Sequence, residues 1–207
     1  YIGSRQDGAF AELVTVAEWN LIVLPDSVSY EEAALLEPAA VALHAARRLD
    51  LRSVPSVAVI GSGGIGKLIG KWLTIFNVET VDILGRKDSS SLEQYDACIE
   101  AVGSTDALRR AIELVKPNGQ IVLVGNPDVG FHIDQKLYWQ ILRKQLSVIG
   151  SWNSSYPADW QEVIDRADLL QLDRFVSHRY GFGELDKAFE MLHDKAEKHS
   201  KVIAVWE

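Results

Sequence analysis

The sequence predicts an α/β protein built on a doubly wound parallel sheet, and three observations carry that prediction. Short runs rich in Val and Ile ("VAVIG", "TVDIL", "DACIEAVG", "QIVLVG", "LSVIG") are continuously apolar, as strands buried on both faces are. Amphipathic segments at 64–76, 106–115 and 136–145 fall between them, giving the strand-helix rhythm of a parallel sheet. The first strand runs straight into "GSGGIG", a glycine-rich turn that opens a helix.

The elements follow in order. Residues 1–25 read as short strands, with "FAELVTV" alternating and "NLIVLP" apolar up to its proline. Ser29 and Glu32 form S-x-x-E, a capping box at the head of "YEEAALLEPAAVALHAARRL". Pro38 divides this run into two helices, because an interior proline breaks the hydrogen-bond ladder but sits well in a first turn. Arg47 and Arg48 complement the C-terminal dipole of the second. "KPNG" ends the helix at 106–115 and "SSSLEQ" is a polar loop. Beyond Ser151, "ADWQEVIDRADLL" and "ELDKAFEMLHDKAE" read as helices and "SKVIAVW" as a terminal strand.

Bulk properties narrow the function. A net charge of -8 and a pI near 5.2 argue against nucleic acid or an anionic membrane as partner, since both reward a basic face. The apolar stretch 33–46 is interrupted by Glu37, Pro38 and His44, unlike a membrane span. Cys98 is the only cysteine, so no intrachain disulfide and no all-cysteine zinc cage can form, and a cytoplasmic location is expected. The opening "YIGSRQDGAF" has neither a signal-peptide pattern nor an initiator Met, and an N-terminal part missing from the chain is expected.

The glycine turn fits two devices. Gly61, Gly66 and Lys67 spell most of a P-loop, but the next residue, Leu68, lacks the hydroxyl that holds magnesium there. Gly61, Gly63 and Gly66 spell G-x-G-x-x-G, which admits a dinucleotide and asks for an acidic residue about 20 positions later to bind the ribose. Asp82 closes "ETVD" at that spacing, at the expected end of the second strand. Gly61 serves the tight exit, Gly63 the close approach of the pyrophosphate and Gly66 the helix-sheet contact, with Gly64 and Ile65 completing the turn and Lys67 on the helix surface. A carboxylate repels a 2′-phosphate, so NAD is favoured over NADP, a preference that Arg86 and Lys87 soften. The bland alternative is a turn without a ligand; a methyltransferase is a rival reading of the same grammar.

The chain resembles the medium-chain dehydrogenase/reductase family, the zinc-dependent alcohol and polyol dehydrogenases. The matching segments are "DGAFAELVTV", "LPDSVSYEEAALLEPAAVALHAARR", "VAVIGSGGIG", "CIEAVGS", "LVKPNGQIVLVG" and "SKVIAVW". "EPAAVALHA" looks like the sorbitol and polyol branch, and "ILRKQLSVIGSWNSS" like dehydrogenases of sugar-alcohol phosphates. The resemblance implies a Rossmann-type domain at 46–172, the end of a GroES-like catalytic β domain with a hinge helix at 1–45, and a return to that domain at 173–207. It implies hydride transfer from a secondary alcohol, held by a catalytic zinc, to NAD. The implied partners are a small alcohol or sugar-alcohol (phosphate) substrate and a second copy, as homodimer or homotetramer.

By the same resemblance Glu37 serves the zinc; its plain reading is an acidic residue at a helix N-terminus. Val102 and Gly103, then Val124, Gly125 and Asn126, border the cofactor, and Ser151 and Trp152 the substrate; otherwise these are tight turns. No catalytic residue is assigned. The family's N-terminal cysteine, its Gly-His-Glu segment and its four-cysteine lobe have no counterpart here, and Cys98 lies inside a strand. The stretch "ILGRKDSSSLEQ" is too short for the strand and helices the family has there, or even for one crossover unit. The competing reading is a catalytically dead dinucleotide-binding or oligomerisation module; a zinc-free quinone reductase is disfavoured by Glu37 and "EPAAVALHA".

Overall fold

The structure, a computed structural model, describes residues 2–3, 5–88, 92–194 and 199–206. Helices α1 (Tyr30–Ala33) and α2 (Leu36–Arg47) lead into strand β1 (Ser56–Ile60) and helix α3 (Gly64–Ile75). Then come β2 (Thr80–Leu84), β3 (Tyr95–Glu100), α4 (Thr105–Leu114), β4 (Val115–Leu123), α5 (Gln135–Lys144) and β5 (Ser147–Gly150). These five strands form one parallel sheet in the order β2-β1-β3-β4-β5. The chain reverses direction across the sheet between β1 and β3, and in open α/β sheets ligands bind outside the C-terminal strand ends at such a switch point.

Both faces are covered, as the apolar strands required. On one face α2, α3 and helix α6 (Ala158–Asp165) bury Leu43, Ile69, Trp72 and Val163 against Val57, Val59 and Ile99. The alanines of α2 at 39, 40, 42, 45 and 46 are fully buried, and the Trp72 indole N–H donates to Ala39 O at 3.0 Å. On the other face Leu108, Ile112 and Leu137 of α4 and α5 pack against Ala58, Cys98 and Ile121.

The capping box forms as read, with Ser29 Oγ accepting from Glu32 N–H and the Glu32 carboxylate accepting from Ser29 N–H. Pro38 falls in the first turn of α2. "KPNG" follows the end of α4 at Leu114, yet it lies within β4, where Asn118 adopts φ 63° and the register with β3 slips.

One expectation is corrected. The N-terminal strands do not form: among the described residues before Pro25 there is an isolated Ile2–Gln6 bridge and a 3-10 turn at Glu18–Asn20. A strand needs a partner strand for its N–H and C=O groups, and among the described residues this stretch pairs with none, leaving Leu13 and Val23 more than 90% exposed. Residues 85–94, in turn, do connect β2 to β3 although they are too short for a helical crossover. Ten extended residues reach about 33 Å, roughly twice the length of a five-residue strand. The described part is strapped to α4: Arg110 donates to Gly85 O (2.6 Å) and Asp88 O (2.5 Å), and Glu93 and Gln94 N–H donate to Glu113 and Leu114 carbonyls. The serine run at 89–91 lies outside the described residues.

The C-terminal region continues with α7 (Ala167–Leu170), β6 (Val176–Gly181), α8 (Leu185–Asp194) and β7 (Lys201–Val205). The expected terminal strand pairs in parallel with β6, which the reading of the sequence missed. The expected end of the last helix, at 195–197, lies outside the described residues.

Candidate functional site

The turn after β1 has the geometry its three glycines imply. Gly61 adopts φ +119°, closed to most side chains, and its N–H continues the ladder to Leu84 O at 2.9 Å. A Cβ on Gly66 would stand 1.8 Å from Gly61 O, so helix and strand exit touch backbone to backbone. A Cβ on Gly63 would meet nothing within 4 Å. Gly63 is the N-cap of α3, so the open side of the turn faces a helix N-terminus with free N–H groups. Gly64 and Ile65 begin the helix, Ile65 half-buried against the core.

The switch point brings the other expected loops to the same sheet edge. Val102 Cγ2 lies 3.0 Å from where Gly61 would carry a Cβ. Gly103, at φ +82°, backs onto Asn126, and a Cβ on Gly125 would stand 1.9 Å from Gly103 N. Ser151 joins through its N–H to Leu123 O at 2.9 Å, and its buried hydroxyl makes no hydrogen bond.

Sequence reasoning missed the residue that organises this cluster. Glu100, 2% exposed at the end of β3, accepts from Val102 N–H (2.7 Å) and Gly103 N–H (2.8 Å) through its side chain. Its carbonyl accepts from Val124 and Gly125 N–H. Burial pushes its carboxyl above the ordinary 4.5, and the two backbone N–H donors only partly offset that. An acid with a raised folded pKa holds more protons folded than unfolded, so stability declines as pH rises from 4.5 to the folded pKa and is level above it. Urea unfolding from pH 4 to 8 should show this decline in the wild type and not in Glu100→Gln; identical profiles would remove Glu100 as the titrating group.

Asp82 requires a correction. It lies in the middle of β2, opposite Ala58, about 7 Å short of the strand's C-terminal end. Its carboxylate accepts from Tyr95 Oη at 2.7 Å, across β1. At the strand end itself stands Gly85, whose N–H donates to Asp88 Oδ2 at 2.7 Å. Asp88 Oδ2 and Ser62 Oγ each lie 3.3 Å from where Gly85 would carry a Cβ, so a carboxylate does face the glycine turn, from Asp88. Arg86 and Lys87 are exposed beside it. A cation also comes from far along the chain: the Lys201 Cε lies 3.3 Å from where Gly64 would carry a Cβ, over the first turn of α3.

The metal expectation finds no centre here. Among the described residues no three His, Cys, Asp or Glu side chains gather to hold a metal ion. Glu37 is exposed on the first turn of α2, and these residues do not by themselves fit a zinc ion. Cys98 is buried in β3, and desolvation pushes its thiol up to about 12, so it is inert. No helix among the described residues is long and apolar enough to cross a membrane.

The fold and the glycine turn define a Rossmann-type α/β domain. Residues 66–168 match the family model described as zinc-binding dehydrogenase, and through them the chain belongs to the zinc-binding dehydrogenase family of medium-chain dehydrogenases/reductases. It is 28% identical over 222 residues to galactitol 1-phosphate 5-dehydrogenase of Escherichia coli K12, covering 91% of this chain and 64% of that protein. Sorbitol dehydrogenase of Halalkalibacterium halodurans is 27% identical over 225 residues, covering 92% and 64%. The crystal structure of Escherichia coli galactitol-1-phosphate dehydrogenase superimposes with a TM-score of 0.85 at 27% identity, covering 98% of this chain and 68% of that one. The chain thus spans 64% of the length of these curated relatives. The matches exceed the chain's own 207 residues, so the relatives carry extra residues within the shared span.

Proposed function

We propose that the chain is the NAD-binding portion of a zinc-dependent alcohol or polyol dehydrogenase, with a polyol phosphate of the galactitol 1-phosphate kind as substrate class. The observation that carries this is the open Gly63 at the N-terminus of α3, framed by a Gly61–Gly66 contact too close for any side chain. In this reading the pyrophosphate lies against the first N–H groups of α3, with the Lys201 ammonium neutralising it. Gly61, Gly64, Ile65 and Gly66 shape the turn. Val102, Gly103, Val124, Gly125 and Asn126 form the floor toward the nicotinamide, and Ser151 offers its free hydroxyl beside them. The bound cofactor supplies a hydride acceptor. Glu37 is assigned as one zinc ligand; the others are not among the described residues, and no step is routed through zinc. The protein is assigned to the cytoplasm, and as a homodimer or homotetramer. Titration calorimetry of the chain with NAD and NADP tests the binding; absence of both heats would overturn it.

Recognition of the ribose is reassigned from Asp82 to Asp88. Asp88→Ala is expected to lower NAD affinity about tenfold, the loss of a charge-assisted hydrogen-bond pair, and to relax discrimination against NADP through Arg86 and Lys87. Asp82→Ala should leave the NAD/NADP ratio unchanged. A shift in that ratio from Asp82→Ala and not from Asp88→Ala would restore the original assignment.

A further inference from the structure

Behind the glycine turn, on the side of α3 toward the C-terminal segment, lies a cavity of about 340 Å³. Lys67 and Lys71 line it, together with Gln171, Arg174, Phe175 and Ser200. Among the described residues no carboxylate is in the lining, although the chain has 29 acidic and 21 basic side chains. Lys67 and Lys71 are one turn apart on α3 and share a face, where like charges repel. Arg174 comes from the 3-10 turn Leu172–Phe175, so a third cation is brought in by a different element. Among the described residues none of the three has an ion-pair partner. The Ser200 hydroxyl is buried and has no hydrogen-bond partner among the described residues. Three convergent cations leave the cavity short of negative charge.

We propose that this cavity binds a small phosphate-bearing anion at a site separate from the dinucleotide turn. A phosphate monoester carries close to two charges and three acceptor oxygens, enough for the Arg174 fork and the two ammonium groups. Leu170 and Phe175 give an apolar wall for the organic part of an ester. None of Gly61, Gly63 and Gly64 lines the cavity, so the two anion sites are built from different residues.

The test titrates the chain with inorganic phosphate and, separately, with glycerol 3-phosphate, by calorimetry and ³¹P NMR, without and with saturating NAD. Phosphate is expected to bind in both conditions, about tenfold more weakly in Lys71→Ala and in Arg174→Ala, and unchanged in Gly63→Ala. Urea midpoints of the variants matching the wild type would tie the loss to the site and not to folding. Tighter binding of glycerol 3-phosphate would identify an ester site using Leu170 and Phe175; equal affinities would identify a site for free phosphate. Equal phosphate affinity in wild type, Lys71→Ala and Arg174→Ala would overturn the proposal, as would displacement by NAD, which places the anion on the glycine turn. Failure of NAD to bind would remove the proposed dehydrogenase function and leave the phosphate comparison intact.

Discussion

Gly66→Ala is expected to cost about 3 kcal/mol of folding stability and to abolish dinucleotide binding, whereas Gly63→Ala should keep the fold and lose only the binding. The new methyl on Gly66 would sit 1.8 Å from Gly61 O and 2.9 Å from Gly61 C. Both are backbone atoms, so relief requires moving the strand exit or sliding α3 off the sheet. Either motion breaks the contact of Ile69, Trp72 and Leu73 with the core. At Gly63 the backbone is extended at φ -74°, any residue adopts it, and the methyl enters empty space. That space is where the pyrophosphate must approach, so NAD affinity should fall at least about tenfold while the urea midpoint moves little. Equal stability losses in the two variants would contradict the assigned geometry; unchanged NAD affinity in Gly63→Ala would contradict the assigned function.

The second large effect lies away from the site. Asp159, 3% exposed in the first turn of α6, accepts from Ser155 N–H at 2.6 Å, is 3.0 Å from His44 Nδ1 and pairs with Arg47 Nη1 at 3.0 Å. It ties α6 to α2. Asp159→Ala removes the anion and leaves a histidine, a guanidinium and a backbone N–H facing an apolar side chain. Breaking such a buried network costs about 3–5 kcal/mol. The lower end is expected, because Arg47 is 38% exposed and keeps its pair with Glu162. Urea unfolding of the single variants and the Asp159→Ala/Arg47→Ala double variant measures the coupling. A loss below about 1 kcal/mol would mean that apolar packing alone holds α6.

How far the sequence told this depends on how local the cause is. The five strands, the capping box at Ser29 and the Pro38 division were legible because periodicity and caps act within a few residues. The tight exit at Gly61 and the helix–strand contact at Gly66 were legible because the motif encodes backbone geometry. Asp82 was misjudged because spacing alone does not fix where a strand ends: β2 runs two residues past it, and Tyr95 captures its carboxylate. Asp88 was hidden because it reaches the turn by folding back onto Gly85. Glu100 and Lys201 reach the loops around the glycine turn through tertiary placement, for which one sequence has no signal. The N-terminal strands failed for the opposite reason: the local pattern was present, and no partner for it was.

The short β2–β3 strap has one more consequence. With no further strand beyond it, β2 is the sheet's outer strand, its far side carrying unpaired N–H and C=O groups that could seed pairing with another molecule. It is only five residues long and carries a carboxylate at its centre, tied inward to Tyr95. A strand docking there would have to pair alongside that charge, which makes intermolecular sheet extension unfavourable.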